Sequence, residues 1–600
     1  MPEPTTQPTG LKKLLPRIGS PGYHILLGAV AIFILGPLGG VSAAFMNFSI
    51  GFFVGGQVLA GILGSAVTLP YGPEGKHGAN YMQTMAASVA GMCGMGVLMQ
   101  AMVWLGLPEP APWKLVLFYM SIGMFGVGVG MLYTPILVDK MQLSFPSGFA
   151  VANILRALTD KKLLKQSIAK LGGGMLGGYV GGVASLKIPA VESLGISTST
   201  FGAGMIVGAR IAIPALVVAV VGDRLKPYLI SIGWLEEGAP FRKIGFIIAL
   251  GTILGAAIVD VGLILIQAVQ RWRRPAVAAP PTEDWKRVNS FRLGLWVIFW
   301  GACVVVIGSQ VLHQPVSFLL IAVALSFLFV LINGISTGIS DSNPISSAFV
   351  MTVFILAAFG LKDPGVGLMC ASIMLIACSE GVDMQQDRST GWRLGTNRIN
   401  QFRYQVIGIA MGALLAVVLA KTFMNAYPVL KQDQFSQKIE GAEKWQSAMT
   451  FKFVGALKGI TNQKPHVMKA LQLGLVLGLL IEVTRKLLKS NRSYKEFSTR
   501  SRAGRVTDFV LDAAIIPSPY ASSFGGFVEL ATTIWWAAGG VLASVYDWIQ
   551  AQIKLRQAKP AEGELPTDMS TMSLVGGGLI AGDSLAALSV GIYALLKTVF

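Results

Sequence analysis

The sequence predicts an all-α polytopic membrane protein, with about sixteen transmembrane or re-entrant helices in two homologous halves. Three observations carry that expectation. The 600 residues are 53% hydrophobic and only 13% charged, with a mean hydropathy of +0.62, whereas a soluble chain of this length needs a larger polar shell. The apolar residues fall in long blocks such as Tyr23–Val41, Leu115–Ile136 and Tyr404–Ala420, and roughly 20 mostly apolar residues carry a helix across a bilayer core. Short motifs then recur in the same order along the two parts of the chain.

The blocks lie at approximately 22–43, 47–69, 81–106, 113–136, 145–158, 168–187, 199–222 and 243–270, and again near 291–311, 315–335, 344–360, 364–380, 404–424, 466–486, 521–547 and 571–598. They divide the chain into a cytoplasmic N-terminal segment (1–21), a first repeat half (22–270), a basic cytoplasmic linker (271–290) and a second repeat half (291–600). The N-terminal segment is polar and carries Lys12, Lys13 and Arg17, with no short apolar region and small-residue cleavage site. An uncleaved, cytoplasmic N-terminus is expected, in the cell's inner (plasma) membrane.

The block at 145–158 sets the topology. If it spans, Lys161, Lys162, Lys165 and Lys170 fall outside, against the positive-inside rule. If it is re-entrant, the linker falls outside, which is worse. The even count is therefore favoured, with 145–158 broken or only partly inserted. The linker groups Arg271, Arg273, Arg274, Lys286, Arg287 and Arg292 around Pro275, Pro280 and Pro281. A second group contains Arg485, Lys486, Lys489, Arg492, Lys495, Arg500, Arg502 and Arg505. Basic clusters beside spans account for the net charge of +18 as topology determinants, so no nucleic-acid partner is expected.

The halves match at Ser199-Thr-Phe-Gly-Ala-Gly204 with Ser522-Ser-Phe-Gly-Gly-Phe527, and at Gly251-Thr-Ile-Leu-Gly255 with Gly578-Leu-Ile-Ala-Gly582. Asn80, Gln83 and Thr84 also match Asn343, Ser346 and Ser347. Internal duplication of this kind is usual in secondary transporters, with substrate sites near the repeat interface. An even number of spans per half makes the repeats parallel. The glycine run Leu171–Gly182 reads as close helix packing, or as unwinding beside a cavity. Cys93, Cys303, Cys370 and Cys378 read as small hydrophobes; no disulfide, metal site or cofactor is expected.

Three polar segments stand out, because a charge at the bilayer centre costs roughly 2.5–3.5 kcal/mol and normally faces a cavity or a partner. In Tyr71–Thr84, broken by Pro73 and glycines, Asn80, Gln83 and Thr84 are candidate substrate ligands at a helix N-terminus, with free N–H groups facing an anion; a solvated loop is the alternative. In Asn333–Ser347, Ser336, Thr337, Asp341 and Asn343 are substrate-binding candidates, again with a loop as the alternative. In Ala377–Gly395, Glu380, Asp383 and Asp387 are spaced to share one helical face. They are candidates for proton coupling, and the alternative is a helix exit balanced by Arg388 and Arg393. Asp260, Glu529 and Asp583 lie within apolar blocks, and Arg210 is expected to pair with one of them. Of the histidines, only His77 adjoins a candidate site.

These segments resemble the oligopeptide transporter family, which includes the yellow stripe-like metal-chelate transporters. Glu380-Gly-Val-Asp-Met-Gln-Gln-Asp-Arg-Ser-Thr-Gly-Trp-Arg-Leu-Gly395 is similar to that family's G-D-x-x-Q-D-x-K-T-G-x-x-x-G stretch. Asn80-x-x-Gln-Thr84 followed by Ala86–Gly91, and Pro146-Ser-Gly148 ahead of Ala150 and Asn153, resemble further signatures. Arg388 and Ser389 depart from the pattern, and the Asn-Pro-Gly signature of the eukaryotic peptide branch is missing, so the prokaryotic and yellow stripe-like branch fits better. The resemblance implies a proton-coupled importer of small peptides or peptide-like metal chelates. Its partners would be that solute, protons and the lipid bilayer, with a homo-oligomer left open. An uncoupled facilitator or channel is the alternative. An enzyme is not expected: His-Glu-x-x-His is missing, as is a Walker-type phosphate loop.

Overall fold

The computed structural model describes the chain apart from residues 1–14, 50–60, 62–63, 144, 160, 194–197, 273–282, 341–342, 438, 440–444, 446, 462–464, 528–529, 557–570 and 600. Helices and turns make up the described residues, without a strand. Among them, eight helical stretches are long and apolar enough to cross a bilayer: Pro21–Phe45, Gly64–Trp104, Pro112–Lys140, Asp284–Val311, Val316–Gly338, Pro364–Leu394, Arg398–Ala426 and His466–Ser490. The protein is thus an all-α polytopic membrane protein.

The helix Pro364–Leu394 lies at the centre and is buried along nearly its whole length. Its start is fixed by Asp363, whose side chain accepts from the N–H groups of Gly365 and Val366, with Pro364 in the first turn. It stops at Gly395, which takes the left-handed conformation (φ 71°), while Thr396 N–H donates to Gly391 O (2.8 Å). Packed around it are Gly75–Gly94, Pro112–Thr134, Pro146–Thr159, Val316–Ser340 and Ile345–Ala358. Small residues allow the closest of these approaches. A Cβ on Gly126 would lie 2.7 Å from Ala377 Cα, and a Cβ on Gly148 would lie 2.6 Å from Gln386 O. In lipid, where apolar burial supplies no drive between helices, such backbone proximity is a main source of association.

Glycine also organises two outer helix pairs. Gly251 and Gly255 of Arg242–Trp272 meet Gly474 and Gly478 of Pro465–Ser490. Gly174 of Lys161–Lys187 lies against Gly578 Cα of Thr571–Val599 (3.0 Å to a Cβ), and Gly582 meets Met175. The run Leu171–Gly182 therefore sits in one continuous helix and serves packing. The helix Pro146–Thr159 has 14 residues, about 21 Å at the α-helical rise, too short for a hydrocarbon core of about 30 Å.

Candidate functional site

The three polar segments, far apart in sequence, converge on the central helix. Asn80, Gln83 and Thr84 are fully buried, which excludes a solvated loop at these positions. Their helix opens at Gly75, so by Asn80 the backbone N–H groups are already inside the helical ladder. The free N–H groups expected there are absent, and the side chains make the contacts instead. Gln83 Nε2 donates to Asp387 Oδ1 (2.5 Å), and Asn80 Nδ2 donates to Gln83 Oε1 (2.7 Å).

From the second segment, Asn333, Ser336 and Thr337 are buried on Val316–Ser340. Asn333 Nδ2 donates to Asn343 Oδ1 (3.1 Å), and Asn343 Nδ2 donates to Cys378 O (3.2 Å), half a turn before Glu380. Asp341 lies outside the described residues.

In the third segment the helix does carry all three acids, but it does not exit into water there. Glu380 and Asp387 are fully buried, and Asp383 is partly buried. A Cβ on Gly91 would lie 2.9 Å from Glu380 Oε1 and 3.3 Å from Asp383 Oδ2, so both carboxylates converge on this glycine. Ser88 and Gln405 lie beside Glu380, yet among the described residues neither Glu380 oxygen has a partner in hydrogen-bonding geometry. Arg388, expected as a helix-exit counter-charge, is itself fully buried.

Two glutamines complete the site, and sequence reading passed over both. Gln401 Nε2 donates to Asn80 Oδ1 (2.7 Å) and to Asp387 O (3.0 Å), while its Oε1 accepts from Arg388 Nη1 (2.9 Å). Gln405 Nε2 donates to Glu380 O (3.3 Å). Their four-residue spacing places both on one face of Arg398–Ala426. That spacing, at the head of an apolar block, was the available signal. Below the ladder, Arg398 holds Asp139 through both terminal nitrogens, and Thr134 Oγ1 donates to Gln385 Oε1 (3.3 Å).

Other expectations need correction. Among the described residues Arg210 donates to Asp508 (2.8 Å) and Asp512 (3.0 Å), and Asp512 also takes Arg485 and Lys489. These acids directly follow the second basic group, Arg485 to Arg505, where no apolar block drew attention to them. Asp583 instead accepts from Ser199 N–H (3.3 Å). Glu529 and the side chain of Asp260 lie outside the described residues. His77 Nδ1 bonds Thr396 Oγ1 (2.9 Å), just beyond the central helix.

Fold and site together define a polytopic α-helical membrane protein with ionisable and amide side chains gathered in its interior. A sequence model described as "OPT oligopeptide transporter protein" matches residues 22–232 and 281–594. The chain belongs to the oligopeptide transporter family, whose members are transporters and not enzymes. Among curated relatives, a probable metal-nicotianamine transporter, YSL8, of Oryza sativa subsp. japonica is 32% identical over 111 residues, 18% of this chain and 16% of the relative. The metal-nicotianamine transporter YSL2 of the same organism is 28% identical over 148 residues, 23% and 22% of the two chains. A probable metal-nicotianamine transporter, YSL6, of Arabidopsis thaliana is 31% identical over 111 residues, 18% and 16%. The matched stretch thus spans less than a quarter of each relative's length.

Proposed function

We infer that this chain is a proton-coupled secondary transporter that imports small peptides or peptide-like metal chelates. The observation that carries the reading is Glu380: a carboxyl group fully buried in the bundle, with neither oxygen in hydrogen-bonding geometry with a described residue and with Asp383 turned toward the same glycine. An ionised carboxylate without a partner is costly to hold away from water, and a bound proton removes most of that cost. Such a group is suited to take a proton from one side and release it to the other. The family membership supports transport, and the names of the relatives support a chelate as readily as a peptide.

The same reading takes the architecture as two homologous halves with about sixteen membrane-inserted helices. The reciprocal outer pairs support it, since the closing helix of each half packs on a helix of the other: Arg242–Trp272 on Pro465–Ser490, and Thr571–Val599 on Lys161–Lys187. So does the short helix Ala448–Thr461, which precedes Pro465–Ser490 as Pro146–Thr159 precedes Lys161–Lys187. The basic linker and the N-terminus then lie on the cytoplasmic side of the plasma membrane.

Proteoliposome uptake with and without an imposed pH gradient tests the function. Gradient-driven accumulation should be lost in E380Q and D383N, while solute exchange persists. Uptake by the unaltered protein that ignores the gradient would instead identify an uncoupled facilitator, and unchanged gradient dependence in both variants would remove these acids from the mechanism.

A further inference from the structure

Arg388 is a fully buried guanidinium with its hydrogen bonds only partly made. Nε donates to Met384 Sδ (2.7 Å), a weak acceptor, and Nη1 donates to Arg398 O (2.8 Å) and Gln401 Oε1 (2.9 Å). Nη2 has no partner. Among the described residues no carboxylate stands within ion-pair distance of it, while the neighbouring Arg398 is already matched by Asp139. Among the described residues two further atoms of this region are buried without a partner in hydrogen-bonding geometry: Asp387 Oδ2 on the same helix, and Thr84 Oγ1 on Gly75–Gly94, whose Gln83 holds the other Asp387 oxygen.

A buried cation without a matching anion is expensive, and burial of this kind persists where a partner completes it. The two acceptors on Nη1 pin the planar fork, leaving Nη2 oriented for one more acceptor. Anionic oxygens are the strong acceptors for such a donor, and a carboxylate is the one that peptides and their chelator analogues carry. We propose that Arg388 Nη2 anchors a carboxylate of the transported solute, so that the site takes small molecules bearing a free carboxylate, whether a peptide C-terminus or the acid arms of a chelator. The assignment rests on the transport reading above and names the solute group which that site recognises. Occlusion of Arg388 fits a site reached when the bundle opens toward one side.

Asp387 ties solute to proton. Ionised, it offsets the positive charge of Arg388; protonated, it leaves that charge to the incoming carboxylate. The other charged groups of this region are the Arg398–Asp139 pair, Arg393 with Asp383 and Glu380 on the central helix, and Arg156, which donates to Arg393 O. The first of these is internally neutral. Carboxylate and proton should therefore favour each other's binding.

The test is equilibrium binding to the full chain in nanodiscs. The probes are dialanine, dialanine amide, which differs only at the carboxylate, and nickel–nicotianamine. The unaltered protein should bind at least one carboxylate probe, and where that is dialanine it should prefer the acid over the amide by roughly tenfold or more, the worth of a charge-assisted hydrogen bond. R388Q should abolish the acid preference, or nickel–nicotianamine binding, and R388K should restore part of it. D387N, which fixes a neutral side chain beside Arg388, should keep the preference and extend it to higher pH; this variant decides the matter if R388Q does not fold. Equal binding of acid and amide, retention of the preference in R388Q, its loss in D387N, or no binding of either carboxylate probe would overturn the assignment. The transport reading fails separately, if no probe crosses proteoliposomes under any gradient.

Discussion

Replacing Gly126 by alanine tests whether helix contact at bare backbone positions the site. The added Cβ would lie 2.7 Å from Ala377 Cα and 2.8 Å from Ala377 O. Both are backbone atoms of a helix packed on several sides, so no side-chain rotation can relieve them. Reaching ordinary contact requires the helices Pro112–Thr134 and Pro364–Leu394 to part by about 0.7 Å. Overpacking of this kind costs roughly 1–3 kcal/mol, and the better helix propensity of alanine returns up to about 1 kcal/mol. The net expectation is a destabilisation of about 1–2 kcal/mol. Gly294 of Ser290–Val306 is the control, because a Cβ there meets nothing within 4 Å; G294A should be neutral or slightly stabilising. Thermal unfolding of the purified variants in one detergent reads both. G126A must unfold well below G294A. It should also transport more slowly, since Ala377 precedes Glu380 by less than one turn. A G126A midpoint equal to that of G294A would refute the close approach and the positional argument built on it.

Two further outcomes follow from the charged contacts. D139N should destabilise the protein by about 1–3 kcal/mol, because it leaves the Arg398 guanidinium buried without its carboxylate; the loss is held below that of a fully buried pair because Asp139 is 26% exposed. Chemical or thermal unfolding measures it, and an unchanged midpoint would show the pair to be energetically idle. Asp433, in the loop before Ala448–Thr461, is raised by its partial burial, but hydrogen bonds from Lys458 and Ser436 and the Lys458 charge outweigh this and hold it below the ordinary aspartate value. A depressed folded-state value contributes stability that is present above the unfolded value of about 3.9 and lost as pH falls through the folded value. The thermal midpoint should therefore fall on acidification below about pH 4, and D433N should flatten part of that decline; an identical pH profile in the variant would rule the contribution out.

The helical membrane fold was legible because apolar blocks and basic loops are local properties of the chain. The convergence of the polar segments was partly legible: Glu380, Asp383 and Asp387 repeat at helical spacing, and each polar group inside a span demands a partner. What sequence could not supply was which partner. Arg388 looked like a counter-charge at a helix exit, because composition does not reveal that the helix continues, still buried, to Leu394. Gln405 was absorbed into the apolar block at 404–424, whose hydropathy one amide changes little, and Gln401 lay just ahead of it, in a turn of helix that hydropathy does not mark. Arg210 was matched to acids inside apolar blocks, although its partners Asp508 and Asp512 sit just after the second basic group, in a stretch that sequence marked only as basic. In each case the missing knowledge was tertiary, the direction in which a side chain leaves its helix.

The choice of amides around Asp387 is itself informative. A lysine or arginine bonded to that carboxylate would hold it ionised whatever the proton gradient, because removing the charge would strand a buried cation. Gln83 and Gln401 carry both donors and acceptors, so the ladder from Asn80 through Gln83 to Asp387 tolerates either state. With Asp387 ionised, Gln83 donates to Oδ1 as observed. With a proton on Oδ2, the acid gains a donor, and the Thr84 hydroxyl beside it on the facing helix, which can donate to the ionised form, can equally accept. Neither state then leaves an amide of the ladder without a partner. On the proton-coupled reading, this is why the helix nearest the acids contributes asparagine, glutamine and threonine where a stability argument alone would select a salt bridge.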